Sequence, residues 1–382
     1  MLLNARICAQ IRPFSSARLA SFDWNHNSQK WNYTYSVISP DESMGTKGTV
    51  VMFPSCTLLS SKEEWRPAAE YLADVGYRSV LIDWPGWHNR NEPLNWSIED
   101  DVNGKTLVST FTEFAYTALS HISESEMGDG THMHVCAAGG PAAVHIRRAI
   151  HELENDKIRF NSLICFSPSW RFYLTRYVPE GYPRKLARRR MILDMLMSSF
   201  FVRSKTMYRI YKSKFGLAKL TRRFYDEKIQ HNPELLQAKK DVLMRDRPLS
   251  IDAAMISGYF DPVSSTPEFL QELLAVAPSN LEDHHDDSDD DDSLLNIKVP
   301  NWVKSESSNV TSDSDPVRSN ISVHLVFPQD VSGADKTELS TVRLWAEKTP
   351  NVSVSDIPGK LFCHEENPAL TATLIQQFLS SR

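Results

Sequence analysis

The stretch HMHVCAAGGP at residues 132–141 decides the fold, because the residue pattern changes within it from that of a strand to that of a helix. Residues 132–136 alternate histidine with methionine and a β-branched valine and end in cysteine, which predicts a strand. Residues 137–140 are all alanine or glycine, and such small residues let a strand and the next helix approach closely across a tight turn. Apolar residues then recur at helical spacing up to residue 153. The stretch therefore predicts a strand, a sharp turn and a helix in immediate succession.

The same alternation extends in both directions along the chain. Strands are predicted at residues 48–53, 77–83, 132–136, 162–166, 321–327 and 352–355. Helices are predicted at residues 65–75, 111–122, 141–153, 337–348 and 368–379. Strands that alternate with helices through short loops form a mostly parallel sheet with helices on both faces. The predicted class is α/β.

A long interruption separates the fourth predicted strand from the fifth. Residues 167–276 lack the alternation and predict an inserted helical cap, with 16 Lys/Arg against 4 Asp/Glu between residues 171 and 228. The acidic run EDHHDDSDDDD and a Ser-rich stretch follow, and such a composition cannot bury apolar surface, so it predicts disorder. The predicted organisation is a transit peptide or disordered tail at residues 1–22, segments of one α/β core at 23–166 and 320–382, a helical cap at 167–277 and a disordered insertion at 278–319.

The N-terminal segment has the composition of a targeting peptide. Residues 1–22 contain Arg6, Arg12 and Arg18 with several serines, and the first acidic residue is Asp23. Positive charge without acidic residues is typical of organellar transit peptides, and the alternative is a disordered basic tail. The pattern suits a plastid or a mitochondrion, with the plastid slightly preferred. No apolar run approaches the roughly 20 residues that a membrane-spanning helix needs.

Several short blocks, in a fixed order, resemble the α/β-hydrolase superfamily. They are VVMFP at 50–54, DWPGW at 83–87, the stretch around residue 137 and GKLFCHEE at 359–366. More narrowly, the chain is similar to a cyanobacterial and plant plastid branch, through WRP at 65–67, CFSPSWR at 165–171 and SGYFDPV at 257–263. The resemblance covers roughly residues 32–379 apart from the acidic insertion. It implies an α/β-hydrolase fold with a helical cap.

The resemblance also implies where catalytic residues are expected. Aligned with the pattern G-x-S-x-G, the nucleophile position holds Ala137, which has no hydroxyl group to attack a carbonyl. His364 falls where the family places its general base, and it is either a base or a histidine retained for packing. The acid is expected after the strand at 321–327, where Asp330 is preferred to Asp335, although each is also explained as a loop or capping aspartate.

Backbone amides form the remaining part of the expected site. Phe53-Pro54 stands where the family often begins its oxyanion loop with His-Gly, so the amides of Ser55 and Cys56, with Ala138, are the candidate oxyanion donors. No metal-ligand spacing, P-loop or GxGxxG is present, so no cofactor and no metal are expected.

The five cysteines occur singly, without a CxxC pair, which predicts reduced and buried thiols. Cys136 and Cys56 lie next to candidate site positions and are alternative nucleophiles. Reactivity would need an exposed thiolate with a lowered pKa, and packing is the favoured interpretation.

Two classes of function remain open from the sequence. The first is an α/β-hydrolase-fold protein without a serine nucleophile. Such a protein either binds a small apolar or ester-like ligand without catalysis or uses His364 and an aspartate to activate water or remove a proton. The second is a non-catalytic scaffold or membrane-peripheral protein whose basic cap meets an anionic lipid surface. Nucleic acid is not an expected partner, and the sequence leaves the ligand and the oligomeric state undetermined.

Overall fold

The computed structural model describes residues 17–87, 105–127, 132–155, 158–169, 213–244, 261–263, 266–274 and 321–381. The transit-like residues 1–16, most of the basic stretch of the cap and the acidic insertion lie outside these ranges. Of the quoted motif blocks, residues 83–87 lie wholly within these ranges, whereas residues 165–171 and 257–263 lie only partly within them.

One eight-stranded sheet forms the centre of the molecule, in the order β1-β2-β4-β3-β5-β6-β7-β8. The pairs β1–β2 and β2–β4 are antiparallel, and the other neighbours are parallel. The strands are β1 Arg18–His26, β2 Gln29–Ile38, β3 Gly48–Phe53, β4 Tyr77–Leu81, β5 Met133–Ala138, β6 Ser162–Phe166, β7 Ser322–Pro328 and β8 Val352–Ile357. Because β3, β5 and β6 are buried along their whole length, they consist mainly of apolar residues.

Helices cover the sheet on both faces. They are α1 Arg66–Ala73, α2 Lys105–Ser125, α3 Gly140–Asn155, α4 Lys214–Phe224, α5 Glu227–Gln230, α6 Pro233–Met244, α7 Thr266–Leu274, α8 Gly333–Lys348, α9 Cys363–Glu366 and α10 Pro368–Ser380. A 3-10 helix over Lys62–Trp65 leads directly into α1, where Pro67 occupies the first turn. One core cluster lies on each side of the sheet, as the predicted α/β layering requires.

The β1–β2 hairpin was missed from the sequence, and its presence corrects the N-terminal boundary. Residues 18–22 were assigned to the tail, yet they form the first half of β1 and pair with β2. Alternate residues of β1 are buried, among them Phe22 and Trp24. The strand contains four exposed polar residues, Arg18, Ser21, Asp23 and Asn25, and these weakened the apolar pattern that would have revealed it.

The described part of the cap is helical, as predicted, and it packs on the core. One core cluster contains residues of the sheet together with residues of the cap. The cap residues include Leu220, Phe224 and Tyr225, in and just after α4, and Phe269 and Leu273 of α7. Within the described residues, no helix combines the length and apolar character needed to cross a membrane.

The carboxyl ends of the six parallel strands meet at one edge of the sheet. In open α/β sheets, ligand sites form outside this edge, where successive loops diverge. The loops after β3, β5, β6 and β8 converge here, and α4 lies over them. This edge is therefore where the candidate site is built.

Candidate functional site

The sharp bend after β5 is at Gly139, and this corrects the placement of Ala137. Strand β5 continues through Ala138, so Ala137 lies inside the sheet, opposite Phe53 on one side and Cys165 on the other, and is fully buried. Gly139 has φ +84°, the left-handed conformation that the bend requires and that glycine adopts without strain. Two alanines pack in a strand as easily as in a turn, and the sequence pattern therefore placed the bend two residues too early.

The peptide groups around the bend are already hydrogen-bonded within the protein. Gly139 N donates to Phe166 O at 2.8 Å, and Gly140 N donates to Ser169 O at 3.0 Å. In this fold the amide that follows the nucleophile is one of the two oxyanion donors. Here that amide belongs to Gly140 rather than to Ala138, whose residue ends β5 opposite Phe166. Ser169 O therefore occupies the donor that would stabilise an oxyanion.

His364 lies in the short helix α9, fully buried, and its partner is Glu64. Its Nε2 is 3.2 Å from Glu64 Oε1, and neither side chain has any exposed surface. The same carboxylate oxygen accepts the Ser55 amide at 3.1 Å. The imidazole is enclosed by aromatic rings, with centroid distances of 4.5 Å to Trp65 and 6.1 Å to Phe166. The Ser55 amide, a predicted oxyanion donor, is thus bound to the residue that also holds the histidine.

The prediction that Asp330 or Asp335 pairs with His364 was wrong. Asp330 Oδ2 accepts Gly359 N at 2.7 Å, and Asp330 N donates to Gly359 O at 3.0 Å, which joins the loops after β7 and β8. Asp335, in the first turn of α8, binds Arg223 of α4 at 2.8 Å. Both aspartates therefore have structural roles rather than the catalytic role. Glu64 was missed because it lies 300 residues before His364, and no local motif marks it.

Three tryptophans hold the loop that follows β3. The indole Nε1 of Trp65 donates to Phe53 O at 2.9 Å, that of Trp84 to Pro54 O at 2.7 Å, and that of Trp87 to Thr57 O at 3.0 Å. Each buried tryptophan satisfies its N–H group on a loop carbonyl, as buried indoles require. The WRP and DWPGW blocks of the sequence therefore act on one loop, and they fix it from both sides.

The hydroxyl groups of this loop form a closed, buried cluster. Thr57 Oγ1 lies 2.6 Å from Ser60 Oγ, Ser55 Oγ bonds the same Ser60 hydroxyl, and Ser55 Oγ donates to Thr57 Oγ1 at 3.4 Å. Each hydroxyl has one proton, and these contacts use them within the cluster. The loop is polar yet internally satisfied.

The described cysteines are free and buried, as predicted, and their environment disfavours thiolates. Burial raises the pKa of Cys56 and of Cys136 well above the ordinary thiol value. Burial likewise raises the pKa of Cys363 to about 12. A thiol in apolar surroundings stays protonated at neutral pH and is a poor nucleophile. Cys56 lines a cavity beside Gly139, whereas Cys136 belongs to the core cluster on the α1 side of the sheet.

A cavity of about 50 Å³ lies beside Gly139. One water molecule needs roughly 10–15 Å³ by this measure, so the cavity has room for a few water-sized groups. It is lined by Ser55, Cys56, Thr57, Gly139, Pro141, Ser167, Ser169, Arg223, Phe224, Leu361 and Phe362. The loops after β3, β5, β6 and β8 thus all contribute, together with α4 of the cap.

Two adjacent glutamates of α9 connect the core to the cap. Glu365 binds Lys239 Nζ of α6 at 2.8 Å and accepts the hydroxyl of Tyr225 at 2.5 Å. Glu366 accepts Asp226 N at 2.6 Å and Lys360 N at 3.2 Å. Burial raises the pKa of Glu366 to about 6, although these two backbone hydrogen bonds oppose the shift.

The raised pKa of Glu366 predicts a pH-dependent stability. The folded state binds more protons than the unfolded state between pH 4.5 and 6, so the free energy of unfolding should fall as pH rises through this window. The expected change is about 1 kcal/mol after allowance for solvent screening. Urea unfolding at several pH values should show this slope reduced in Glu366→Gln and unchanged in Glu347→Gln, which alters an exposed carboxylate. An unchanged slope in Glu366→Gln would contradict the assignment.

Comparisons with known proteins bear on the fold. No protein-family model matches the chain, and no curated protein matches it. Among solved structures, the bromoperoxidase from Bacillus anthracis aligns over 94% of this chain and 100% of its own, with TM-score 0.57 and 13% identity. A thermophilic esterase from Thermogutta terrifontis aligns over 95% and 98%, with TM-score 0.54 and 13% identity. The enol-lactonase from Burkholderia xenovorans LB400 aligns over 91% and 96%, with TM-score 0.51 and 11% identity.

These matches, together with the strand order, identify the architecture. The chain has the α/β-hydrolase fold: a mostly parallel eight-stranded sheet flanked by helices, whose structural neighbours are α/β-hydrolases. Identities of 11–13% show the fold alone. Function has to be argued from the site, because one fold carries many activities.

Proposed function

We propose that this chain is an α/β-hydrolase-fold protein that performs no serine-dependent acyl transfer and that binds a small ligand in the cavity beside Gly139. The observation that carries the proposal is that Gly139, which has no side chain, stands at the bend where the fold places its nucleophile. The structural neighbours include an esterase and an enol-lactonase, and acyl transfer through a covalent intermediate needs an attacking side chain.

The other parts of an acyl-transfer site support the same proposal. A general base has to reach the nucleophile, yet His364 Nε2 bonds Glu64. Oxyanion donors have to point at the developing charge, yet Gly140 N bonds Ser169 O and Ser55 N bonds Glu64. Each group therefore has a structural partner in place of a substrate.

Serine-independent catalysis by His364 is less well supported. Among the described residues that line the cavity, neither His364 nor Glu64 is present, and both side chains are fully buried. A base that removes a proton has to come within hydrogen-bond distance of it or act through one water molecule. We therefore assign the pair a structural role and leave ligand binding as the function of the cavity.

A fluorophosphonate probe tests the proposal on the purified protein. The wild type should remain unlabelled while an active serine hydrolase, treated in parallel, is labelled. The decisive variant is Gly139→Ser, which restores a hydroxyl at the bend and leaves the contacts of His364 and Gly140 unchanged. We expect this variant also to remain unlabelled and to hydrolyse neither esters nor lactones, because a serine without a base and oxyanion donors is unreactive.

Two results would overturn the proposal. Labelling of the wild type, mapped by peptide mass spectrometry to any serine, would reveal a nucleophile elsewhere. Labelling of Gly139→Ser at residue 139 would show that the base and the amides are still available.

A further inference from the structure

Several hydrogen-bond donors around the cavity are occupied by protein acceptors. Ser167 Oγ donates to Leu361 O at 2.7 Å, and Ser169 Oγ donates to Glu338 Oε1 at 2.9 Å. The amides of Ser55 and Gly140 are bonded as described above. A hydroxyl group that donates its proton to the protein retains lone pairs, so it can still accept a hydrogen bond. Ser167 Oγ also lies 3.4 Å from Cys363 Sγ, and its second lone pair can accept a hydrogen bond from a ligand.

The cavity also presents no uncompensated charge among its described lining residues. Its cation is Arg223, whose Nε and Nη2 bind the two oxygens of Asp335 at 3.2 and 2.8 Å. A guanidinium held in this two-point geometry is neutralised by its carboxylate. An anionic ligand would lose its hydration and find no net positive charge in return, and the amides of Ser55 and Gly140 already bind protein acceptors.

The remaining wall is apolar and the space is small. Phe224, Leu361 and Phe362 contribute carbon surface, and Phe224 stacks on Phe362 with ring centroids 4.7 Å apart. A volume of about 50 Å³ is roughly a third of that of a cavity that holds benzene. A ligand seated within these walls therefore has only a few non-hydrogen atoms in the cavity.

We propose that the cavity binds a small neutral molecule, or the neutral end of a larger one, in which a hydroxyl group on an apolar body donates a hydrogen bond to Ser167 Oγ. Ser167 is suited to this role because it follows β6 directly and is held on both sides. Its amide donates to Val326 O at 2.9 Å, and its hydroxyl is anchored on Leu361 O. This inference rests on the proposed function and adds the chemical class of the ligand.

Fluorine NMR with a matched pair of probes tests the inference. Trifluoroethanol and trifluoroacetate share a CF₃ group and differ in one neutral hydroxyl against one carboxylate. At millimolar probe and non-denaturing concentration, the ¹⁹F line of trifluoroethanol should broaden with the full-length protein and that of trifluoroacetate should not. Ligands of this size bind in about the millimolar range, so line broadening suits the measurement.

Matched variants locate the binding. Ser167→Ala should reduce the broadening at least threefold. Ser162→Ala, at the opposite end of the same strand where the hydroxyl faces His134 at 2.8 Å, should leave it unchanged. Ser167→Gly is the second variant, since residue 167 has φ +52° and glycine relieves that backbone while it removes the hydroxyl.

The outcomes separate this inference from the proposed function. Preferential binding of trifluoroacetate, equal binding of both probes, or binding of neither would overturn the assigned ligand class and leave the fluorophosphonate result intact. Broadening that survives in both Ser167 variants would overturn the assigned acceptor. Fluorophosphonate labelling of the wild type would instead defeat the proposed function, whatever the NMR shows.

Discussion

Replacing Glu64 with alanine is expected to lower the free energy of unfolding by about 3–5 kcal/mol. The carboxylate is fully buried, and one of its oxygens accepts hydrogen bonds from both His364 and the Ser55 amide. Removing it leaves two buried polar groups without their partner, and such groups incur the full desolvation penalty. Chemical denaturation followed by tryptophan fluorescence measures the change, since Trp65 packs against the imidazole.

The neighbouring residue provides the control for this prediction. Glu63 lies in the same 3-10 helix and pairs with Arg66, but its side chain is 42% exposed. Glu63→Ala should therefore cost less than about 1 kcal/mol. Glu64→Gln keeps an oxygen that can accept one hydrogen bond, so an intermediate loss is expected if Glu64→Ala fails to fold.

A double-mutant cycle of Glu64→Ala and His364→Ala tests whether His364 has a structural or a catalytic role. If the pair is structural, His364→Ala alone should destabilise the protein, and the double variant should lose much less than the sum of the two single losses. If His364 were a base held ready for substrate, its removal would abolish turnover in an ester, lactone and epoxide screen. Additive losses together with a measurable turnover that His364→Ala removes would defeat the structural assignment.

The alternation of strands and helices is the part of the fold that could be predicted, because burial on both faces leaves a continuous apolar signal. β3, β5 and β6 are entirely buried; β3 and β6 were recognised to the residue, at 48–53 and 162–166, whereas β5 was predicted to end two residues too early. The β1–β2 hairpin could not be recognised in this way. It lies at the edge of the sheet, where one side of each strand meets solvent and polar residues interrupt the pattern.

The candidate site was predictable in its location but not in its pairing. His364 lies shortly after β8, the last strand, because chain order fixes which loop follows that strand. The partner of His364 was assigned to an aspartate of the adjacent loop, whereas the structure brings Glu64 from the other end of the chain. Such a contact depends on how two loops pack in three dimensions. The bend was predicted at Ala137 and lies at Gly139, because alanine fits a strand and a turn equally well.

Gly140→Ala is expected to destabilise the protein by about 3 kcal/mol or more, although Gly140 has no unusual φ. A Cβ atom at this position would lie 2.6 Å from Ser169 O and 2.8 Å from Ser169 C, both of which are backbone atoms. Relief would require a shift of the chain after β6 and would break the hydrogen bond from Gly140 N. Overpacking of a closed core usually costs 1–3 kcal/mol, and the lost hydrogen bond adds to it.

Gly139→Ala is the matched comparison, and the order of the two variants tests the account of the bend. A Cβ at residue 139 would meet only Ser55 Cβ at an ordinary 3.6 Å, so its cost comes from the left-handed backbone, about 1–2 kcal/mol. The measured loss should therefore be larger for Gly140→Ala than for Gly139→Ala. The reverse order would mean that Ser169 does not press on residue 140, and that the amide of Gly140 is open to a substrate oxygen after all.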